Sequence, residues 1–193
     1  TGNGSASESP NQATYVHGTI VTLTATPASG NAFVGWSGSA SGAQNPLAIT
    51  MDGDKTVNAG FTFTLATSVV GSGTVAASPS QTSYVAGTAV QLTATPAIGW
   101  HFVGWSGDAS GSANPLGLTM NSNKVIAATF AINTYALSVA TVGSGVVGKS
   151  PNLASYPHGS SVQLTAFPAP SWHFVGWGGD ASGTASPVAI TLD

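Results

Sequence analysis

The stretch Val90-Gln91-Leu92-Thr93-Ala94-Thr95, followed beyond Pro96 by Phe102-Val103-Gly104-Trp105, decides how this chain folds. Its apolar residues fall on every second position, the period of a strand with one buried face and one hydroxyl-rich face. The same alternation stands in Val21-Thr22-Leu23-Thr24-Ala25-Thr26 and in Val162-Gln163-Leu164-Thr165-Ala166. Each copy leads to the same aromatic signature, at Phe33-Val34-Gly35-Trp36, Phe102-Val103-Gly104-Trp105 and Phe174-Val175-Gly176-Trp177. The tryptophans stand 69 residues apart (36 to 105) and then 72 (105 to 177). A period this long exceeds that of the usual solenoids and suits a small unit with its own core, so the chain reads as a tandem array. Chemistry that must be done once is a poor fit to such a chain.

Working outward, Tyr15, Tyr84 and Tyr156 each precede a glycine by three residues, at Gly18, Gly87 and Gly159. Pro27, Pro96 and Pro168 close the alternating run, and Pro46, Pro115 and Pro187 follow a Ser/Gly/Ala-rich loop. A further strand is predicted at Leu47, Ile49 and Met51, with Leu116, Leu118 and Met120, then Val188, Ile190 and Leu192 as its counterparts. The next is predicted at Val57, Ala59 and Phe61, matched by Ile126, Ala128 and Phe130. Glycine and proline punctuate the boundaries, and no window has helical periodicity. The fold class is therefore all-β, an elongated array of three small units of about six short strands, mostly antiparallel because their short connections cannot make parallel crossovers.

The repeats are placed at residues 1–62, 63–132 and 133–193, with the extra linker residues near Ala131-Ile132-Asn133-Thr134. Repeat 1 has no counterpart of Phe63 to Val70, and repeat 3 has none of Lys124 to Phe130. Both ends being out of phase predicts a window from a longer array. The short junction between Phe130 and Tyr135 predicts a fairly stiff rod.

Charged residues make up only 5% of the chain, against roughly 25% in a usual domain. Three scattered lysines, no arginine and a net charge of −3 leave no electrostatic footprint for nucleic acid or for an anionic membrane. Zero cysteine removes disulfides and zinc-thiolate sites, and no signal peptide, anchor or transmembrane stretch is visible.

The ordered elements Tyr-x-x-Gly, Val-x-Leu-Thr-Ala-x-Pro, Phe-x-Gly-Trp-x-Gly, Asn-Pro-Leu-x-Leu-Thr-Met and Asn-Lys with a closing Phe resemble the divergent internalin-type B-repeat family of bacterial secreted and cell-surface proteins. The resemblance covers repeats 2 and 3 almost fully and repeat 1 from about Tyr15; repeat 3 departs at Gly178 and Ser186. It implies a bacterial extracellular or cell-surface location, a β-grasp-like or related unit, and a spacer or adhesion role. It carries over no catalytic residues.

Phe33, Trp36, Phe102, Trp105, Phe174 and Trp177 are read as structural anchors, since one buried indole can organise a core of this size. Tyr15, Tyr84 and Tyr156 are read as corner residues whose hydroxyls meet backbone near the glycine turn. Trp100, His101, Trp172 and His173 are different, because repeat 1 has Asn31 and Ala32 there. A position that accepts Asn is predicted to lie at the surface or at a junction between repeats, where aromatics form platforms for protein or sugar.

Asp108 and Asp180 match each other but face Ser39 in repeat 1, and Asp52-Gly53-Asp54 becomes Asn121-Ser122-Asn123 in repeat 2. Neither pattern offers the several acidic ligands that Ca²⁺ needs, so neither metal nor cofactor is predicted. No nucleophile motif stands in a strand-turn-helix context, so no catalytic residue is predicted. Asn3-Gly4-Ser5 matches a glycosylation acceptor. The sequence thus predicts a non-enzymatic stalk, fibre or filament segment. The alternatives are an adhesin or carbohydrate-binding module using exposed Trp, and an accessory segment of a large secreted enzyme. The predicted partners are copies of itself or neighbouring surface proteins, with glycan a further candidate and neither nucleic acid nor membrane insertion among them.

Overall fold

A computed structural model of the chain describes residues 3–193. Strands, turns and irregular segments account for all of these residues, and helix is absent from them. The strands are small and mostly antiparallel, and each repeat builds its own set.

Repeat 1 contributes β1 (Gly4–Ser9), β2 (Ile20–Pro27), β3 (Phe33–Gly38), β4 (Leu47–Thr50) and β5 (Val57–Phe61). They form an antiparallel sheet in the order β1-β2-β4 and an antiparallel pair β3-β5. The alternation of β2 sends Val21, Leu23 and Ala25 inward, where they meet Trp36 and Phe61. Phe33, Leu47, Ile49, Val57 and Ala59 pack around that cluster. Strand β1 has no such signal: Gly-Ser-Ala-Ser-Glu-Ser is exposed throughout, and its Ser7 and Ser9 stand opposite Thr24 and Thr22 of β2.

Repeat 2 contributes β6 (Leu65–Val70), β7 (Gly73–Ser78), β8 (Ala89–Pro96), β9 (Trp100–Gly107), β10 (Leu116–Thr119) and β11 (Lys124–Ile132). One sheet runs β10-β8-β7 and the other β6-β11-β9. Val90, Leu92 and Ala94 of β8 are buried, as are Ile126 and Ala128 of β11 and Met120 beyond β10. Strands β6 and β11 pair in parallel, from Lys124 opposite Leu65 to Thr129 opposite Val70. The rule against parallel crossovers governs consecutive strands. Here the first and last strands of a repeat meet, and the four strands between them supply the return path.

Repeat 3 contributes β12 (Thr134–Tyr135), β13 (Gly145–Ser150), β14 (Tyr156–Pro157), β15 (Ser160–Pro168) and β16 (Val188–Leu192). The sheet β13-β15-β16 repeats the antiparallel sheet of the other units, and β12 pairs with β14. Tyr156, Val162, Leu164 and Ala181 form its core, with Leu137, Val147, Trp177 and Ile190 packed against them. The segments that match β6 and β9, Leu137 to Val142 and Trp172 to Gly179, form no strands. In repeat 2 both are held by β11, which lies between β6 and β9.

Compactness does not follow the repeat boundaries. One unit gathers the residues up to Val70 with Thr74–Thr95 and Val103–Thr129. The other comprises Gly71–Gly73, Pro96–Phe102 and Phe130–Asp193.

Candidate contact surface and the polar frame of each repeat

The signature tryptophan is fixed at both its backbone and its ring. Its amide donates to the carbonyl of Gly42, Gly111 or Gly183 at 2.8 Å in the three repeats. Its indole Nε1 donates to Gln44, Ala113 or Ala185 at 2.9, 2.8 and 2.8 Å. A buried indole that satisfies its one donor on backbone brings a large apolar surface into the core without a desolvation penalty. Trp36 and Trp105 are 5% and 4% exposed, while Trp177 is only half-buried.

The asparagine before the second proline does a sheet's work with a side chain. Asn45 accepts from Ala25 N–H at 2.9 Å and donates to Ala25 C=O at 2.7 Å, and Asn114 treats Ala94 the same way. Ser186, its counterpart in repeat 3, keeps only the acceptor half, taking the Ala166 N–H at 2.9 Å. Sequence inspection noted Ser186 as a departure but assigned no role to Asn45 or Asn114. Asn114→Ala should cost about 1–3 kcal/mol, because two backbone groups of β8 lose their partner, and Asn114→Ser should cost less. Denaturant melts of the two variants give the order; equal losses would show that the donor half contributes nothing.

The corner tyrosines hydrogen-bond upstream and not at the glycine turn. Tyr15, Tyr84 and Tyr156 donate to the carbonyls of Pro10, Pro79 and Pro151 at 2.8, 2.9 and 2.9 Å. The same hydroxyls accept from the amides of Gln12, Gln81 and Leu153. Tyr84 and Tyr156 are almost wholly buried, Tyr15 partly. Tyr84→Phe leaves the Pro79 carbonyl without its donor, so a loss of about 1–3 kcal/mol is expected in the same melts. Tyr15→Phe, at a wetter corner, should lose less.

The variable aromatics are set apart from this frame. Trp100 is half-buried over the Gly71 turn, where an added Cβ would stand 3.0 Å from its ring. Trp172 covers Gly143 in the same way yet remains 57% exposed. Asn31 donates to Ser29 C=O at 3.2 Å, and its side-chain oxygen is buried without a partner. His101 Nδ1 lies 2.8 Å from Asn133 Oδ1, so this position sits at the junction of repeats 2 and 3. His173 is exposed.

Asn133 ties that junction together. Its N–H donates to Gly99 C=O at 2.8 Å, and its own carbonyl accepts from His158 N–H at 2.8 Å. The His158 ring lies so close to Gly99 that a Cβ there would collide with it, and its Nδ1 stands 3.4 Å from the Tyr135 hydroxyl. Neither His158 nor Asn133 was singled out from the sequence as a contact. The signal was present, since Asn133 belongs to the extra linker residues.

Comparison with known families agrees with this threefold geometry. The sequence model of the divergent InlB B-repeat domain matches residues 1–65, 63–134 and 135–192. The chain belongs to the divergent InlB B-repeat family. No match was found among curated proteins or among solved structures. The family is one of repeat domains of bacterial surface proteins, which are generally non-catalytic.

In the B-repeats the position of Asp108 and Ser39 serves the frame. Asp108 Oδ2 accepts from Val125 N–H at 2.6 Å and Asp108 N–H donates to Val125 C=O at 2.9 Å, fastening the start of β11. Ser39 makes the same reciprocal pair with Thr56, at 3.0 and 2.8 Å. Serine and aspartate are thus interchangeable there as caps. Asp52 pairs with Lys55 at 2.5 Å, and that hydrogen bond and charge hold its carboxyl below the usual carboxylate range.

Proposed function

We propose that this B-repeat array is a non-catalytic structural segment, a stalk, fibre or filament-forming part of a larger bacterial surface protein. One contrast carries the reading. What recurs in every repeat is the frame of Tyr hydroxyl, Trp indole and Asn or Ser, each bonded to backbone of its own repeat. What varies is the residue pair at 31–32, 100–101 and 172–173, Asn-Ala in repeat 1 and Trp-His in repeats 2 and 3. A chain whose recurrent residues serve its own folding is suited to holding position and spacing.

Low charge favours association between such surfaces, because little electrostatic repulsion keeps the chains dispersed. Thr93 and Thr95 are exposed on β8, whereas Thr22 and Thr24 are half-buried beside β1. Analytical ultracentrifugation of the unmodified protein should show self-association that changes little over a wide salt range, since uncharged contacts escape screening. A monomer at high concentration and every salt concentration would overturn the assembly reading. It would favour the second reading, a contact module for protein or glycan, which the 57% exposure of Trp172 supports.

A further inference from the structure

Three substitutions fall together on the outer face of one sheet in repeat 3. Sheet β13-β15-β16 turns Val162 and Leu164 into its core, so Val146, Gly148, Ser150, Gln163, Thr165 and Phe167 face the other way. In register, Val146 stands opposite Phe167, Gly148 opposite Thr165 and Ser150 opposite Gln163. The positions of Val146, Gly148 and Phe167 are held by Ser5, Ser7 and Thr26 in repeat 1 and by Thr74, Ala76 and Thr95 in repeat 2. With β5 and β11 in place, Ser5, Thr26, Thr74 and Thr95 are all exposed, so this face is open to solvent in every repeat.

The three changes act as a set. Phe167 reaches diagonally across to Gly148, where a Cβ would stand 3.0 Å from its Cε2, so the missing side chain at 148 gives the ring room to lie along the sheet. Phe167 nevertheless remains 54% exposed and Val146 65%. An outward ring adds nothing to the core, so its use lies in a contact outside the chain. Size and charge decide which contact. Two apolar side chains fall far short of the roughly 800 Å² that each partner of a specific protein interface buries. The only charged residue of the three strands is Lys149, which points the other way and donates to Leu137 C=O at 3.3 Å. Beside the ring stand a hydroxyl, an amide and a second hydroxyl, from Thr165, Gln163 and Ser150.

We propose that this face binds a neutral glycan of β-1,4-linked glucose or N-acetylglucosamine units, one ring of which stacks on Phe167. The negative face of an aromatic ring attracts polarised C–H groups. A pyranose with equatorial substituents presents a clear face of such groups, and a chain of them is flat enough to lie on a sheet. Val146 extends the apolar floor beside the stacked ring. The sugar hydroxyls at its rim meet Thr165 and Gln163, whose side chains both donate and accept. An anionic sugar finds no cation on this face. The site is separate from Trp172 and stands whether or not the array self-associates.

The test titrates cellohexaose and chitohexaose separately into the isotope-labelled 193-residue protein and follows its amides by NMR. At least one of them should bind saturably, with a Kd of about 1 mM for so shallow a site, and shift the amides of Val146, Gly148, Thr165 and Phe167. Phe167→Thr, which restores the residue of the other repeats, should weaken binding about tenfold by removing one stacking contact. Hexagalacturonate, an anionic chain of the same length, should bind the parent no better than this variant. Repeat 2 carrying Thr74→Val, Ala76→Gly and Thr95→Phe together should gain a second site and double the stoichiometry. Absence of binding by both oligosaccharides, equal binding by Phe167→Thr, a folded graft without a second site, or shifts confined to other residues would each overturn the proposal. So would shifts at these four amides that follow protein concentration without sugar, because they would assign the face to a second copy of the chain. Self-association through any other surface leaves these amides unmoved and is read separately by ultracentrifugation.

Discussion

Trp105→Ala should destabilise repeat 2 by about 3–5 kcal/mol, the loss expected for a large aromatic truncated inside a packed core. Its ring is 4% exposed and its Nε1 donates to Ala113 C=O at 2.8 Å, so truncation leaves both a cavity and an unpaired carbonyl. Trp100→Ala should cost much less, because that indole covers the Gly71 turn from a half-exposed position. Trp177→Ala should fall between them, since Trp177 keeps both signature hydrogen bonds but is only half-buried. Hydrogen exchange at the β8 and β15 amides reads repeats 2 and 3 separately within the same protein. Equal losses for Trp100→Ala and Trp105→Ala would reverse the assignment of outside and inside.

Phe130→Ala should have an effect of similar size, about 3–5 kcal/mol, with a different signature. The ring is 3% exposed, lies edge-on to Phe102 with centroids 5.8 Å apart, and covers Gly73 so closely that a Cβ there would stand 2.6 Å from it. Loosening the end of β11 should release both of its neighbours. Amides of β6 and β9 should exchange faster while those of β8 and β10 lag behind, bringing repeat 2 towards the arrangement seen in repeat 3. Uniform acceleration across all six strands would show instead that repeat 2 opens as one block.

Much of this architecture was legible because burial writes a period of two into sequence. Val21, Leu23 and Ala25 announce β2, and Val90, Leu92 and Ala94 announce β8, since one face of each is pressed against a core. Strand β1 escaped notice because both of its faces are exposed, and without burial Gly-Ser-Ala-Ser-Glu-Ser has no reason to alternate. The parallel β6-β11 pair was equally silent: nothing within Leu65–Val70 records that its partner lies some 59 residues away (65 to 124). The candidate contact position stood out in sequence only through differences between copies. Asn31, Trp100 and Trp172 marked a position that differs between copies, while Asn114 and His158 needed coordinates, because hydrogen bonds to backbone leave no periodic trace.

The parallel pairing of β6 with β11 also governs how repeat 2 carries load. Tension along the polypeptide enters at the leading end of β6 and leaves at the trailing end of β11. Because the two strands run side by side in the same direction, that tension slides one lengthwise past the other. Every rung from Leu65 opposite Lys124 to Val70 opposite Thr129 is then stretched together, whereas a hairpin pulled at its open end parts one rung at a time. A single-molecule pulling trace of repeat 2 should therefore show one abrupt rupture at high force, the response of a shear clasp in a tether.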